Sequence, residues 1–318
     1  GAIVVASYWT LQPLWIEPLM RRVTGRDEWG YGHTSSLACL ITGVASKPMA
    51  RHSEATTEKL NMPRQLSFFK DVNVSTALII GIVLLVAMAF ADQEVVKEQA
   101  LAFNEDIGTW TWGVIAALRF AAGIAIVLFG VRMFLGEIIP AFKGFSDKIV
   151  PGSRPALDVP TIFPFAPVGV MVGFVSGTVT FLVLMGVFAA FGWFTLVPPM
   201  IMLFFVCGGA AVFGNAVAGW RGAVLGGLIS AIWLAVGQAL LWGMLDNTAP
   251  ELATLGDPDW YAISWLLLAL AEPFGGSGGI WVVAAIIGVV TLVILGLLSA
   301  RGVRVGAEPP ARAKEAAS

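Results

Sequence analysis

Residues 31–40 read YGHTSSLACL, a histidine and three small hydroxyl residues entered from a glycine and leading directly into apolar sequence. Arg21, Arg22 and Arg26 precede this stretch, and Lys47 and Arg51 follow it. In a membrane protein, short segments rich in Lys and Arg stay in the cytoplasm, so both ends of residues 28–46 belong on the same side. A stretch this short cannot cross a hydrocarbon core about 30 Å thick twice. It must lie on the surface or enter and return, and a broken backbone at membrane depth is tolerated only where protein or a water-filled cavity surrounds it. The membrane premise rests on composition: 57% of the chain is hydrophobic and 13% charged, against about 25% charged residues in an ordinary globular domain. The expected fold class is an all-α polytopic membrane protein, a helical bundle with re-entrant or broken helices.

Seven further stretches are apolar enough to span: 2–20, 75–91, 109–135, 167–192, 197–214, 222–245 and 277–300. The bases of 47–71 (Lys47, Arg51, Lys59, Arg64, Lys70), of 143–154 (Lys143, Lys148, Arg154) and of the tail place these segments in the cytoplasm. Residues 91–106 carry one lysine against five acids, and 246–260 carry no base, so both face outward. Three crossings between 154 and 246 then put Arg221 back on the inner side. Residues 260–274 begin and end outside and form a second interfacial or re-entrant candidate. In RPALDVPTIFPFAPVG (154–169), prolines at 155, 160, 164 and 167 forbid a continuous helix. Broken segments in both halves of a polytopic protein point to a substrate site between them. LNMPRQLSFFKDVN (60–73) and LGEIIPAFKGFSDKIV (135–150) read as amphipathic helices along the inner membrane face.

A net charge of −2 gives no reason to expect nucleic acid. Cys39 and Cys207 lack the spacing of a metal or redox site, and no cofactor or metal is expected. No nucleotide-binding glycine loop is present. The opening GAIVVASYWTLQPLWIEPLMRR has neither an initiator methionine nor a charged n-region, so the chain reads as a fragment that starts inside a membrane segment.

His33, Thr34, Ser35 and Ser36 admit two readings. Thr34 or Ser35 caps a helix over 36–46 with His33 facing the headgroups, or the same N-terminus presents its N–H groups and hydroxyls to a polar ligand with His33 as an added donor. Asp158, among Leu157, Val159 and Ile162, either caps the helix after Pro160 or serves as an ionisable ligand-binding group at the edge of a membrane segment. A carboxylate suits the hydroxyls of a polyol. Arg119 lies deep enough in its span to need a partner, whereas Arg132 with Glu137 belongs at the inner interface. Asn215, at a glycine-rich break, either points into a cavity or serves as a turn residue. Ser35 beside His33 does not make a catalytic set, because residues two apart at a helix start face each other poorly.

The stretches GYGHTSSLACLITG, FGVRMFLGEIIPAFKGFSDKIVPGSRPALDVPTIFPFAPVGVMVGF and VFGNAVAGWRGA resemble, in order and spacing, the permease (enzyme IIC) component of the bacterial L-ascorbate phosphotransferase system. The resemblance covers the whole chain and about the C-terminal two-thirds of a typical member. It implies transport of L-ascorbate for phosphorylation by a cytoplasmic IIB subunit through a phosphocysteine, with IIA as a further partner, so this chain would not supply the nucleophile. It also implies a homodimer in the inner membrane with the C-terminus cytoplasmic, and an elevator-like movement of a core domain against a scaffold. On that pattern 1–60 and 154–300 form the core, 75–135 the scaffold, 61–74 and 136–153 interfacial helices, and 301–318 a disordered tail. Family ligand residues map onto His33, Thr34, Ser35 and Asp158. Thr34 and Ser35 stand where relatives carry glutamines, and Val168 where they carry asparagine, which extends the expected substrates to a related sugar acid or polyol. A proton-coupled transporter using Asp158 is the alternative.

Overall fold

The computed structural model describes residues 1–25, 29–60, 72–149, 155–245, 254, 256–275 and 277–300. The proposed interfacial helix at 61–74 falls largely, and the tail 301–318 wholly, outside these residues. The described chain is almost entirely helical, as an all-α polytopic membrane protein requires when every backbone polar group must be satisfied within its own segment. Among the described residues, four helices are long and apolar enough to cross a membrane: Thr109–Phe142, Pro167–Ala190, Met200–Met244 and Gly278–Ala300.

The contacts divide the chain into two compact units, Glu58–Glu137 and the remainder, 1–57 with 138–318. The larger unit begins with α1, Ala2–Thr24. Val4, Tyr8, Gln12, Ile16 and Met20 recur every fourth residue and are all buried, so one stripe of this helix faces protein even though it includes a glutamine. A two-residue strand β1, Gly30–Tyr31, leads into α2, Ser36–Ser46. Eleven residues rise only about 16 Å, about half a hydrocarbon core, in keeping with a segment that enters and returns.

In the smaller unit, α3 (Val72–Phe90) is followed by α4 (Gln93–Phe103) inside the acidic segment 91–106. Asp92 caps α4 by accepting from the Glu94 amide at 2.9 Å. The Arg119 guanidinium lies 4.9 Å from the centroid of the Phe103 ring, so its partner is an aromatic face. α5 runs without a break from Thr109 to Lys148. Residues 135–148 therefore continue this helix, where a separate amphipathic helix over 135–150 was expected. Pro140 removes a single backbone donor, and neither it nor Gly144 ends the helix before Lys148.

Back in the larger unit, β2 (Ala156–Leu157) pairs in parallel with β1, Gly30 against Ala156 and Tyr31 against Leu157. A 3₁₀ turn over Val159–Phe165 follows, and Pro167 opens α6, Pro167–Ala190. The prolines thus break the backbone where their missing donors require, and Pro167 occupies the first turn, where no donor is needed.

The helical run Met200–Met244, α7, spans 45 residues, about 68 Å if straight and twice what one crossing needs. It does not run straight. Ala218 and Gly219 leave helical geometry, and a Cβ on Gly214 would fall 2.0 Å from the Gly222 carbonyl oxygen, while one on Gly226 would fall 2.7 Å from the Ala210 carbonyl. The two arms fold back on each other, which resolves α7 into the separate stretches 197–214 and 222–245 read from the sequence. Gly219 adopts φ +62 with the carbonyls of Ala55 and His52 against it, and the Trp220 amide donates to Ala55 O at 2.9 Å, starting the second arm. α8 (Pro258–Ala271) and α9 (Ser277–Ala300) complete the unit.

Gly219→Ala would put a methyl 2.2 Å from Ala55 O at a positive φ; it should destabilise the chain by at least about 2 kcal/mol. Gly186→Ala, with open space around its Cβ, should stay within about 0.5 kcal/mol of the parent. Cys39 and Cys207 are both buried, so thermal onset of labelling by a thiol-reactive dye reports both outcomes.

Candidate functional site

The strand pairing decides where the chemistry lies. The Gly30 amide donates to Pro155 O and the Gly32 amide to Leu157 O, each at 2.8 Å, so the residue after β1's turn is carried to the residue after β2. That places the His33 Nε2 atom 3.8 Å from Asp158 Oδ1. The separation is too long for a hydrogen bond and leaves both groups able to face a third. Asp158 takes the capping role considered for it and keeps its carboxylate accessible. Its Oδ1 accepts from the Val159 amide at 2.8 Å and its carbonyl from the Thr161 hydroxyl at 2.6 Å, capping the 3₁₀ turn, yet the side chain remains 63% exposed.

His33 is held from behind. Its Nδ1 lies 2.8 Å from Ser35 Oγ, and Ser35 Oγ lies 2.9 Å from the Tyr31 hydroxyl. If Tyr31 donates to Ser35 and Ser35 to Nδ1, the imidazole carries its proton on Nε2, the nitrogen that faces Asp158. Tyr31 is fixed by burial and by the Phe213 ring, which meets it edge-on at 5.2 Å. The His33 carbonyl accepts from Gln12 Nε2 at 2.7 Å and lies 3.1 Å from the Tyr8 hydroxyl.

His33, backed by Ser35, thus meets Asp158. Thr34 turns away, its hydroxyl donating to the Asp257 carboxylate. Asn215 is also placed elsewhere: its Oδ1 accepts from the Thr57 amide at 3.0 Å, in the segment that follows α2. The amides at the start of α2 meet a carboxylate of this chain. Leu37 N donates to both oxygens of Asp259, at 3.1 and 2.9 Å, and Ser36 Oγ and the Tyr8 hydroxyl donate to Asp259 Oδ2 at 2.9 and 2.6 Å. Burial raises the Asp259 carboxyl above its ordinary range, and these donors oppose that effect.

Sequence reasoning passed over Asp259, Tyr8 and Gln12. Asp259 read as one more acid in an outward segment. Tyr8, Gln12 and Trp15 lie on one face of α1, and all three reach the 33–36 turn, Trp15 through Nε1 to Ser36 Oγ at 3.1 Å. A glutamine one turn from a tyrosine within an apolar span was the available signal. Among the described residues no cluster of His, Cys, Asp and Glu could hold a metal.

Residues 1–259 match a family model described as the PTS system sugar-specific permease component. Over 250 residues the chain is 27% identical to a Mycoplasma pneumoniae protein named "Ascorbate-specific PTS system EIIC component", covering 71% of this chain and 38% of that protein. The chain thus spans less than half the length of this curated relative.

Gln12 is fully buried. Gln12→Leu keeps the volume but removes a donor from the His33 carbonyl, which should cost about 1–2 kcal/mol, seen as earlier thermal exposure of the buried cysteines.

Proposed function

Because the chain belongs to the sugar-specific permease component family of the phosphotransferase system, we propose that it binds L-ascorbate, or a similar sugar acid or polyol, and carries it across the membrane for phosphorylation by a cytoplasmic IIB subunit charged by IIA. The observation that carries this reading is the meeting of His33 with the exposed carboxylate of Asp158 across 3.8 Å. A ligand hydroxyl seated between them can accept from Nε2–H and donate to the carboxylate, and Asp158 Oδ2 takes no other hydrogen bond among the described residues. Asp158 serves hydroxyls and not the acidic group of a sugar acid, since like charges at that range repel. Ser35 holds the imidazole, while Thr34 and Asn215 act at one remove, through Asp257 and the Thr57 amide.

On the same reading the protein is a homodimer of the bacterial inner membrane with a cytoplasmic C-terminus. The unit Glu58–Glu137 serves as scaffold and the larger unit as the core of an elevator-like movement. The separation of contacts at these boundaries supports that assignment.

Asp158→Asn and His33→Ala should each weaken ascorbate binding to the detergent-solubilised chain by about tenfold or more, as expected for loss of a hydrogen bond to a charged group, with cysteine protection unchanged. In vesicles, uptake should require phosphoenolpyruvate and the partner subunits. Accumulation of unmodified substrate without them would overturn group translocation in favour of proton-coupled transport.

A further inference from the structure

We propose that Asp259 is a positioning residue: its buried carboxylate clamps the first turn of α2 and so fixes the orientation in which His33, held by Ser35, faces Asp158. The ligand arm of the test below rests on the proposed function; the imidazole arm does not.

Asp259 is completely buried, and no ion pair to it is formed among the described residues. A buried carboxylate without a cation is retained only where hydrogen bonds replace its lost hydration. Here every replacement comes from the segment that carries the site or from the helix behind it. Oδ2 receives the Tyr8 hydroxyl of α1 and the Ser36 hydroxyl and Leu37 amide of α2, and Oδ1 receives the same amide. The Asp259 amide in turn donates to Thr34 O at 3.1 Å. Residues 34, 36 and 37 are thereby tied to one residue of α8, while Gln12 holds the His33 carbonyl from the other side. The carboxylate also lies in the first turn of α8, so one negative charge sits at the positive ends of two helices. With the α2 amides already engaged, an anionic ligand gains nothing there, which leaves recognition to His33 and Asp158.

A group that merely filled space could be replaced by its isostere without consequence for the imidazole. Asp259→Asn retains one acceptor but removes the charge and introduces a donor against the Leu37 amide. The chain has only two histidines, His33 and His52, so ¹⁵N imidazole spectra of the detergent-solubilised chain, assigned with His33→Gln, read each ring separately. Asp259→Asn should shift the His33 Nδ1 and Nε2 signals toward tautomer averaging, leave His52 unchanged, and weaken ascorbate binding about tenfold or more, while the cysteines stay protected. Should Asp259→Asn not fold, Ser36→Ala, which removes one donor and leaves the carboxylate in place, should move the same His33 signals in the same direction by a smaller amount. His33 signals identical to the parent's in the folded variants would overturn the proposal. A parent chain that fails to bind ascorbate would count against the substrate reading and leave the imidazole result to decide this one.

Discussion

Two hydrogen bonds, from Gly30 N to Pro155 O and from Gly32 N to Leu157 O, carry the geometry of the site. They join segments more than a hundred residues apart, with the whole of the Glu58–Glu137 unit inserted between them in sequence. A ladder of two residues is not stable by itself. It persists because Tyr31 and Leu157 are buried beside it and because the glycines of α7 let the neighbouring backbone come close: a Cβ on Gly209 would lie 2.5 Å from Val159 Cγ2. Gly32 has the same constraint, its absent Cβ being 3.0 Å from that of Ala156. A larger residue there would press on Ala156, in the strand that carries Asp158.

Breaking helices inside a membrane protein exposes backbone groups that lipid cannot satisfy, and the larger unit answers each break with a named partner. Asp259 takes the Leu37 amide in the first turn of α2, Ala55 O takes the first amide of the second arm of α7, and Arg22 Nε donates to Ala216 O at 2.7 Å at the end of the first arm, where a cation also suits the helix dipole. Asn215 satisfies Thr57 N. The buried Gln238 pairs with both the amide and the carbonyl of Val197, at 3.1 and 2.8 Å. Asn215, Gln238 and Asp259 are therefore occupied by the architecture. Asp158 is distinguished from them by combining a structural bond with a carboxylate that remains open.

This separation divides the candidate site residues read from the sequence into two groups. Asp158 and His33 stand at breaks marked by proline and glycine, and local chemistry was enough to single them out. Thr34 and Asn215 share those marks but spend their polar atoms on Asp257 and Thr57. Nothing near Asn215 in sequence distinguishes a side chain facing a cavity from one closing a loop.

The sequence by itself determined the membrane class, the approximate positions of the long apolar helices, the interruption at 28–46, the proline-broken entry at 154–169 and the reversal near residue 218. Each of these follows from sums over neighbouring residues: hydropathy over a span, missing donors at proline, permissive φ at glycine. The tertiary structure alone decided that His33 meets Asp158, that Asp259 holds the start of α2 from 222 residues away along the chain, that Arg119 finds the Phe103 ring, and that residues 135–148 continue α5. Hydrogen bonds and ring contacts act within a few ångströms in space and are indifferent to sequence separation, so their partners are chosen only when the helices have packed.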